Sequence, residues 1–231
     1  MQPVLPSPKV AEDIARVVRT RIHLGELGPG DQLPPERDLA VELDVARVSL
    51  REALGILRAE GYIASKRGSS GGTFVTELEL PYQAWLTHMR ANLADFDDLQ
   101  DYRIAVECRT TVLAAQRATP SELRALEESI GAIAGCADVA SFRRADTHFH
   151  LGIAEASRSD RLLAATKAVR AELFAPADRY GFTPQAETSA YWHRQIHTAL
   201  LAGDADAAAT AMQHHIERSR REMRELLGME D

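Results

Sequence analysis

The stretch from Asp44 to Leu57 constrains the fold more than any other part of the chain, because it is one helical pattern that closely follows another. Its apolar residues recur at helical spacing: Val45, Val48, Leu50, Leu54 and Leu57. Between them the first two turns carry polar side chains that we expect to project outward: Arg47, Ser49 and Arg51. A shorter helical pattern, 33–43, precedes it. So short a connection predicts a tight helix-turn-helix.

Flanking patterns extend this motif on both sides. Lys9 to Leu24 is typical of an amphipathic helix, which the glycines and proline of 25–30 bring to an end. After the motif, residues 61–65 and 73–76 are typical of two short strands around the glycine-rich run 66–72. The first third of the chain therefore predicts three helices followed by a hairpin that would form a wing.

Composition limits the class of protein. The 231 residues are 45% hydrophobic and 6% aromatic, as in a chain with two globular domains. No apolar run approaches the roughly 18 residues that span a bilayer, and the N-terminus lacks the pattern of a signal peptide. We therefore expect a cytoplasmic protein with no membrane partner. Cys108 and Cys136 lack the spacing of a disulfide framework or a thiolate zinc site, which predicts two buried free thiols.

The charge is unevenly distributed. Residues 1–76 hold ten of the 27 basic and ten of the 34 acidic residues, so the net charge of −7 lies entirely in the remainder. A neutral first third neither favours nor excludes nucleic acid. Its cations lie late in the segment, whereas its acids are spread through the earlier part.

From Pro81 onward one helical pattern follows another, with no strand signal. The expected spans are 80–92, 95–118, 120–135, 138–156, 159–178, 185–203 and 204–228. Their ends have local causes, such as Thr119-Pro120 at the start of one helix and a break at 181–184. The fold class is therefore mainly α, an N-terminal winged helix-turn-helix with a small hairpin followed by an antiparallel bundle of six or seven helices.

Asp146 and His150 are four residues apart, so one helix face presents both in a geometry able to chelate an ion. On the last helix the small apolar stripe includes His215 and excludes His214. Between His193 and His197 the periodicity does not choose. Three imidazoles with a carboxylate suit a divalent transition metal, zinc before nickel or manganese.

Four sequence blocks in order resemble the winged-helix domain of the GntR family of bacterial transcription regulators. They are Leu33-Pro-Pro-Glu-Arg-Asp-Leu-Ala, Arg47-x-x-x-Arg51-Glu-Ala-Leu54, Gly61-Tyr-Ile and Gly71-Gly-Thr-Phe-Val75. The rest resembles the FadR-type ligand-binding domain, called FCD. Its marks are Asp101-Tyr-Arg103 with Glu107, Phe142-x-x-x-Asp146-x-x-x-His150, His193, Gly203-Asp204 and Met212-x-x-His215-Ile216. The resemblance implies a DNA-binding domain over 1–78 and a metal- and effector-binding, dimerising domain over 79–231, with the seven-helix form favoured.

The resemblance also implies which residues act. At family positions that touch DNA stand Arg37, Arg47, Ser49 and Arg51. Arginine is suited to guanine, and a glycine-rich wing can approach the minor groove, so we add four wing residues: Lys66, Arg67, Gly68 and Gly71. One departure matters, because Ala46 replaces the family's Ser/Thr and removes the hydroxyl that would cap the helix. Asp44 could cap in its place or adopt the left-handed turn conformation.

For the second domain the resemblance selects His193, which completes a metal set of Asp146, His150, His193 and His215. Arg103 could grip an effector carboxylate in a bidentate manner, or form a structural salt bridge with Glu107 one turn away. Arg158-Ser159 replaces the family's usual Gly-Asn, a departure that bears on the shape of the pocket edge.

The resulting expectation is a homodimeric regulator, more usually a repressor, that binds a pseudo-palindromic double-stranded DNA operator and responds to a small carboxylate. We do not expect this regulator to be an enzyme. A rival interpretation is a metallohydrolase that activates water at the Asp/His site. A third is a regulator whose metal is purely structural.

Overall fold

The helical patterns of the sequence become helices in the computed structural model, which describes residues 8–68, 71–173 and 182–228. The elements are α1 Pro8–His23, α2 Glu36–Glu42, α3 Arg47–Ala59, β1 Ile63–Lys66, β2 Gly72–Val75, α4 Glu79–Ala91, α5 Leu93–Arg117, α6 Pro120–Ala134, α7 Val139–Ala156, α8 Asp160–Glu172, α9 Phe182–Leu201 and α10 Ala205–Leu226. The predicted fold class is confirmed, with seven helices after the hairpin in these described ranges. No helix there is both long and apolar enough to cross a bilayer.

Contacts divide the chain into two compact units, Met1–Trp85 and Leu86–Asp231. The expected division after residue 78 is a division by function, and it stays a prediction. In the first unit α1 and α2 both pack against α3. The inward face of α3 buries Leu50, Leu54 and Leu57 almost completely. Each such burial stabilises by about 1.5–3 kcal/mol, so α3 is held firmly while its other face stays in solvent.

The orientation of α3 corrects two predictions. Val48, taken for an apolar residue of the inward stripe, is 57% exposed, whereas Ser49, expected to project outward, is 6% exposed. Successive side chains on a helix point about 100° apart. An error of one residue in the edge of the predicted apolar face therefore places Val48 inside and Ser49 outside. The outward face of the first two turns therefore carries Arg47, Val48 and Arg51.

The turn before α3 and the hairpin after it place the remaining polar groups of this unit. Asp44 has φ 52°, the left-handed conformation that the sequence suggested for it. In the hairpin β1 pairs with β2 in antiparallel register, from Ile63 opposite Val75 to Lys66 opposite Gly72. The wing is thus anchored at its base by Ile63 and Val75, which are both buried.

In the second unit α5 packs against α7, α8 and α10, while α9 packs against α6 and α10. One apolar cluster joins α5, α6, α7, α9 and α10, with Phe149, Ile153 and Ile196 fully buried. Along the same inward face, however, α5 buries a run of polar residues: Gln100, Arg103, Glu107, Thr110 and Thr111. A polar interior of this kind requires hydrogen-bond partners, and it marks where a site can lie.

The structure tests the predicted ends of three helices, α6, α8 and α9. The start at Thr119 is confirmed, since Thr119 and Glu122 form a reciprocal capping box. The predicted helix over 159–178 ends at Glu172, consistent with Pro176, whose ring would clash with the carbonyl of residue 172; residues 174–178 lie outside the described part. The predicted break at 181–184 is wrong for 182–184, where α9 begins, because Pro184 is tolerated in a first turn. Gly181 lies outside the described residues.

Candidate functional site

The four predicted metal ligands lie together in the second unit. Helix α7 presents Asp146 and His150 one turn apart, α9 presents His193 and α10 presents His215. One ligand atom from each lies within 4.8 Å of all the others. The Nε2 atom of His215 is 3.2 Å from that of His150 and 3.3 Å from that of His193. Asp146 Oδ1 lies 3.5 Å from His193 Nε2, and the three histidines are buried.

The neighbouring histidines are directed elsewhere. His197, which periodicity could not separate from His193, bonds through Nε2 to the backbone oxygen of Leu123 at 2.9 Å. His214 is exposed and its ring contacts that of Trp192. The structure therefore brings His193 and His215 into the cluster, and neither His197 nor His214.

Glu107 orients the cluster from behind. Its Oε2 contacts Nδ1 of His150, and its Oε1 accepts a 2.9 Å hydrogen bond from Nε of Arg103. A carboxylate can only accept, so His150 carries its proton on Nδ1 and directs the lone pair of Nε2 at the other ligands. Histidines that bind metals are generally oriented in this way by an outer carboxylate.

The donor set suits a divalent cation. Burial lowers the pKa of His150, His193 and His215 well below the usual range, so the three imidazoles are neutral at pH 7 and keep lone pairs for a metal. Three facing imidazole nitrogens cannot all bond to one another. The 3.2 Å and 3.3 Å separations of His215 Nε2 from the other two match the roughly 3.3 Å between donors around a tetrahedral ion with 2.0–2.1 Å bonds. The described cluster could thus hold a metal ion.

Arg170 of α8 is a member of this centre that the sequence did not reveal. Its guanidinium pairs with Oδ2 of Asp146, while Nη1 lies 3.9 Å from Oε1 of Glu107. Burial alone would raise the pKa of Asp146, but Arg170 and the surrounding histidines hold it well below its usual range. Asp146 therefore stays ionised, with one oxygen on Arg170 and the other facing the histidines.

Arg103 makes the structural salt bridge that was one of its two expected roles. Its side chain is 5% exposed and Nε bonds to Glu107, which is 2% exposed. Nη1 has a longer contact, 3.5 Å, with Oγ of Ser219. The salt bridge uses one side of the guanidinium fork, so the effector role of its other nitrogens stays a prediction.

Neither cysteine belongs to the cluster. Cys108 and Cys136 are free and half-buried rather than buried. Burial raises the pKa of Cys108 to about 11, which keeps the thiol protonated. A separate cavity of about 190 Å³ is lined by residues that include Ile133, Cys136 and Arg194, and it contains none of the predicted site residues.

The surface of α3 has a different character. Arg47 is exposed and forms no ion pair in the described parts of the chain. Arg51 bonds to Oε2 of Glu36 at 2.8 Å, and Arg37 to Oδ1 of Asp38 at 2.9 Å, both in solvent. Ser49, being buried, does not share this face. Three of the four predicted residues of the helical motif are thus accessible to a partner.

The predicted wing residues also lie on the surface, apart from Gly71. Lys66 stands over the ring of Phe74 at 4.8 Å, and Arg67 and Gly68 are exposed. Gly68 has φ 114°, and a Cβ on Gly71 would lie 2.8 Å from two backbone oxygens. Glycine is therefore required at both positions for the turn itself. Residues 69 and 70 lie outside the described part.

The start of α3 lacks a side-chain cap. Ala46 occupies the N-cap position with φ −67° and ψ 136°, and no side chain bonds to the first turn. Asp44 supplies the left-handed turn rather than a substitute cap. The missing hydroxyl noted in the sequence is therefore not compensated locally.

Comparison with known proteins identifies the family. Residues 10–75 match bacterial regulatory proteins of the gntR family, and residues 98–218 match the FCD domain. The chain belongs to the GntR family of DNA-binding transcription regulators and carries an FCD domain.

Two relatives share most of the length of this GntR regulator. It is 36% identical to the "Putative L-lactate dehydrogenase operon regulatory protein" of Escherichia coli (strain K12), over 92% of this chain and 85% of the relative. It is 31% identical to the HTH-type transcriptional repressor NanR of Edwardsiella tarda (strain FL6-60), over 91% and 82%. The solved structure of E. coli McbR/YncC has the same fold, with a TM-score of 0.56, 16% identity and coverage of 96% and 99%.

In this GntR regulator the Arg158-Ser159 departure has a local structural effect. Arg158 has φ 54°, a conformation that favours glycine, and its guanidinium pairs with Glu122. Ser159 accepts a hydrogen bond from the backbone of Leu162 and caps α8. The effect is thus confined to the left-handed backbone at Arg158, and Ser159 gives α8 a side-chain cap.

Proposed function

We propose that the regulator binds a pseudo-palindromic DNA operator as a homodimer, and that a small carboxylate bound at a metal-containing FCD domain releases it. The observation that carries this is the convergence of Asp146, His150, His193 and His215 beside two buried arginines, in a chain with a winged-helix domain. Repression is supported by the NanR relative, which is named a repressor.

We place DNA reading on the outward face of α3 and on the wing. Arg47 and Arg51 stand four residues apart, where bidentate contacts to guanine O6 and N7 are possible. Arg37, Lys66 and Arg67 are exposed cations suited to phosphates. Ser49 would reach DNA only if it turned outward, which makes it the weakest of the proposed contacts.

We assign the metal position to zinc before nickel or manganese, since three imidazoles and one carboxylate are ligands that borderline divalent ions share. Such an ion would supply a Lewis-acidic centre for an oxygen ligand. Glu107 and Arg170 hold His150 and Asp146 in place. The charge of Arg103 lies next to them and would attract a carboxylate.

The name of the E. coli relative refers to the L-lactate dehydrogenase operon. L-lactate is therefore the first acid to test as an effector of this regulator.

The hydrolase alternative receives less support. Glu107 is the described carboxylate nearest to the ligands besides Asp146, and both of its oxygens are engaged, by His150 and Arg103. A general base needs a free oxygen directed at water. A purely structural metal remains an outcome that experiment can distinguish.

The test begins with selection of an operator from random DNA by the full-length regulator. A thermal-shift screen of small carboxylates, with and without a chelator, then finds acids whose effect depends on metal. We expect such an acid to weaken operator binding by wild type, and Arg103→Ala to respond at least tenfold less. If Arg103→Ala responds like wild type, its effector role is wrong. Melting shifts on chelation with no ligand response would instead favour a structural metal.

A further inference from the structure

Thr166 of α8 has a buried hydroxyl that lacks the bond made by several other helical hydroxyls between residues 86 and 231. A helical serine or threonine can donate its hydroxyl to the backbone carbonyl four residues earlier. This bond is present at Thr110, Thr111, Ser129 and Thr210. Thr166 is 1% exposed, yet its Oγ1 has no hydrogen-bond partner in the described structure.

Arg170 has the same defect one turn further along α8. Its Nη2 bonds to Asp146, but its buried Nε atom has no partner. Residues four apart on a helix lie on the same face, so Thr166 belongs to the face on which Arg170 reaches the metal ligands. Leaving buried donors unpaired is costly, and two of them on one face beside a candidate site indicate a ligand that would bond to them.

The buried charges indicate whether that ligand is positively or negatively charged. Asp146 and Glu107 carry two negative charges, and Arg103 and Arg170 carry two positive ones in contact with them. Histidine binds a metal as the neutral imidazole, so the four charged groups balance before a divalent ion binds. An ion would leave an excess of positive charge in a buried place, which favours anions.

We infer that Thr166 and Arg170 form a second ligand-binding position beside the one proposed for Arg103, so that the effector carries two oxygen-bearing groups. One would be the carboxylate directed at Arg103, and the other a hydroxyl or second carboxylate bonded to Thr166 Oγ1 and Arg170 Nε. The ligand class is then a hydroxy acid or a dicarboxylate rather than a simple monocarboxylate. This inference rests on the proposed function for its first carboxylate.

The experiment measures binding of three probes to full-length, zinc-loaded protein by calorimetry. Acetate has one oxygen-bearing group, L-lactate adds a hydroxyl and malonate adds a second carboxylate. We expect lactate or malonate to bind about tenfold or more tightly than acetate, because a hydrogen bond to a charged partner has that effect. If L-lactate binds more tightly than malonate, the second group is a hydroxyl, and if malonate binds more tightly, it is a carboxylate.

Thr166→Val is the decisive variant, because it removes the hydroxyl and keeps the shape. We expect it to abolish most of the preference over acetate while affinity for acetate stays within about twofold, and to leave the Tm without ligand unchanged or raised. Thr110→Val is the matched control, since its hydroxyl already bonds to Val106, and it should keep the preference.

Three results would overturn the inference: a full preference in Thr166→Val, equal affinity for all probes in wild type, or no binding of any probe. A preference that depends on Thr166 but has no effect on operator binding would support the inference and count against the proposed function. The two failures are therefore distinguishable.

Discussion

The regulator carries charged side chains in two opposite settings. In the winged-helix unit, 1–85, Arg51 pairs with Glu36 while the Arg51 side chain is 61% exposed. Arg37 pairs with Asp38 while the Arg37 side chain is 79% exposed. In the second unit, 86–231, which contains the FCD domain, Arg103 pairs with Glu107, and their side chains are 5% and 2% exposed. Both settings use the same chemical pair, arginine and a carboxylate, and only the solvent differs.

That difference separates exchangeable contacts from fixed ones. An exposed ion pair contributes about 0–1 kcal/mol, so Arg51 can leave Glu36 for a base or phosphate at little cost. A buried pair is expensive to desolvate and is often replaceable by apolar residues, so stability alone does not explain the FCD centre. We therefore interpret the surface as a place for exchange with DNA and the buried centre as a scaffold that holds the ligand side chains.

The largest expected contrast comes from neutralising one carboxylate in each setting. Glu107→Gln would leave Arg103 and Arg170 buried with too little negative charge, and should cost about 3–5 kcal/mol of unfolding free energy. Glu36→Gln, the matched surface change, should alter it by less than about 1 kcal/mol. Urea unfolding in the presence of a chelator measures both. Equal effects of the two variants would break the comparison.

The second contrast concerns histidines four residues apart on α9. Loss of a residue that only orients a metal ligand typically weakens metal binding by about 10–100-fold. His193→Ala removes a proposed ligand itself, so it should weaken zinc binding by at least that factor. His197→Ala removes only the bond to Leu123 and should leave zinc affinity unchanged. Competition with a chromophoric chelator measures this affinity. A similar loss in both variants would contradict the assignment of His193.

Sequence patterns predicted the scaffold well, because helices follow from apolar spacing and local stop signals. The Asp146/His150 pair was visible because both residues lie on one helix. Arg170 was not, since it meets Asp146 from another helix, 24 residues later, and no local pattern encodes that contact. The exchange of Val48 and Ser49 shows the other limit, because periodicity gives a face but not its exact edges.

On the DNA side, exposed arginines should differ by role. Arg47→Ala should cost about 1–3 kcal/mol and relax preference at one base position, as for a base reader. Arg37→Ala should weaken binding to all sequences alike and reduce the salt slope by about 1, as for a phosphate contact. Repeated operator selection and salt titrations measure these effects. The assignment fails if Arg47→Ala keeps the selected sequence and changes only the salt slope.

The smallest expected effect lies at the start of α3. Ala46→Ser restores a side-chain cap that α3 lacks, and caps are typically worth about 1 kcal/mol. We expect higher stability and tighter operator binding, the latter through one more phosphate contact. A titration at fixed salt measures the binding. Equal or weaker binding by the variant would refute the prediction.

The proposed regulation depends most directly on one question, whether release from DNA requires the buried centre. Operator binding is titrated with L-lactate, or with whichever acid the screen selects, for zinc-loaded wild type, chelated wild type and His193→Ala. We expect all three to bind the operator without acid, and only zinc-loaded wild type to be released by the acid. Equal release of all three would contradict this expectation.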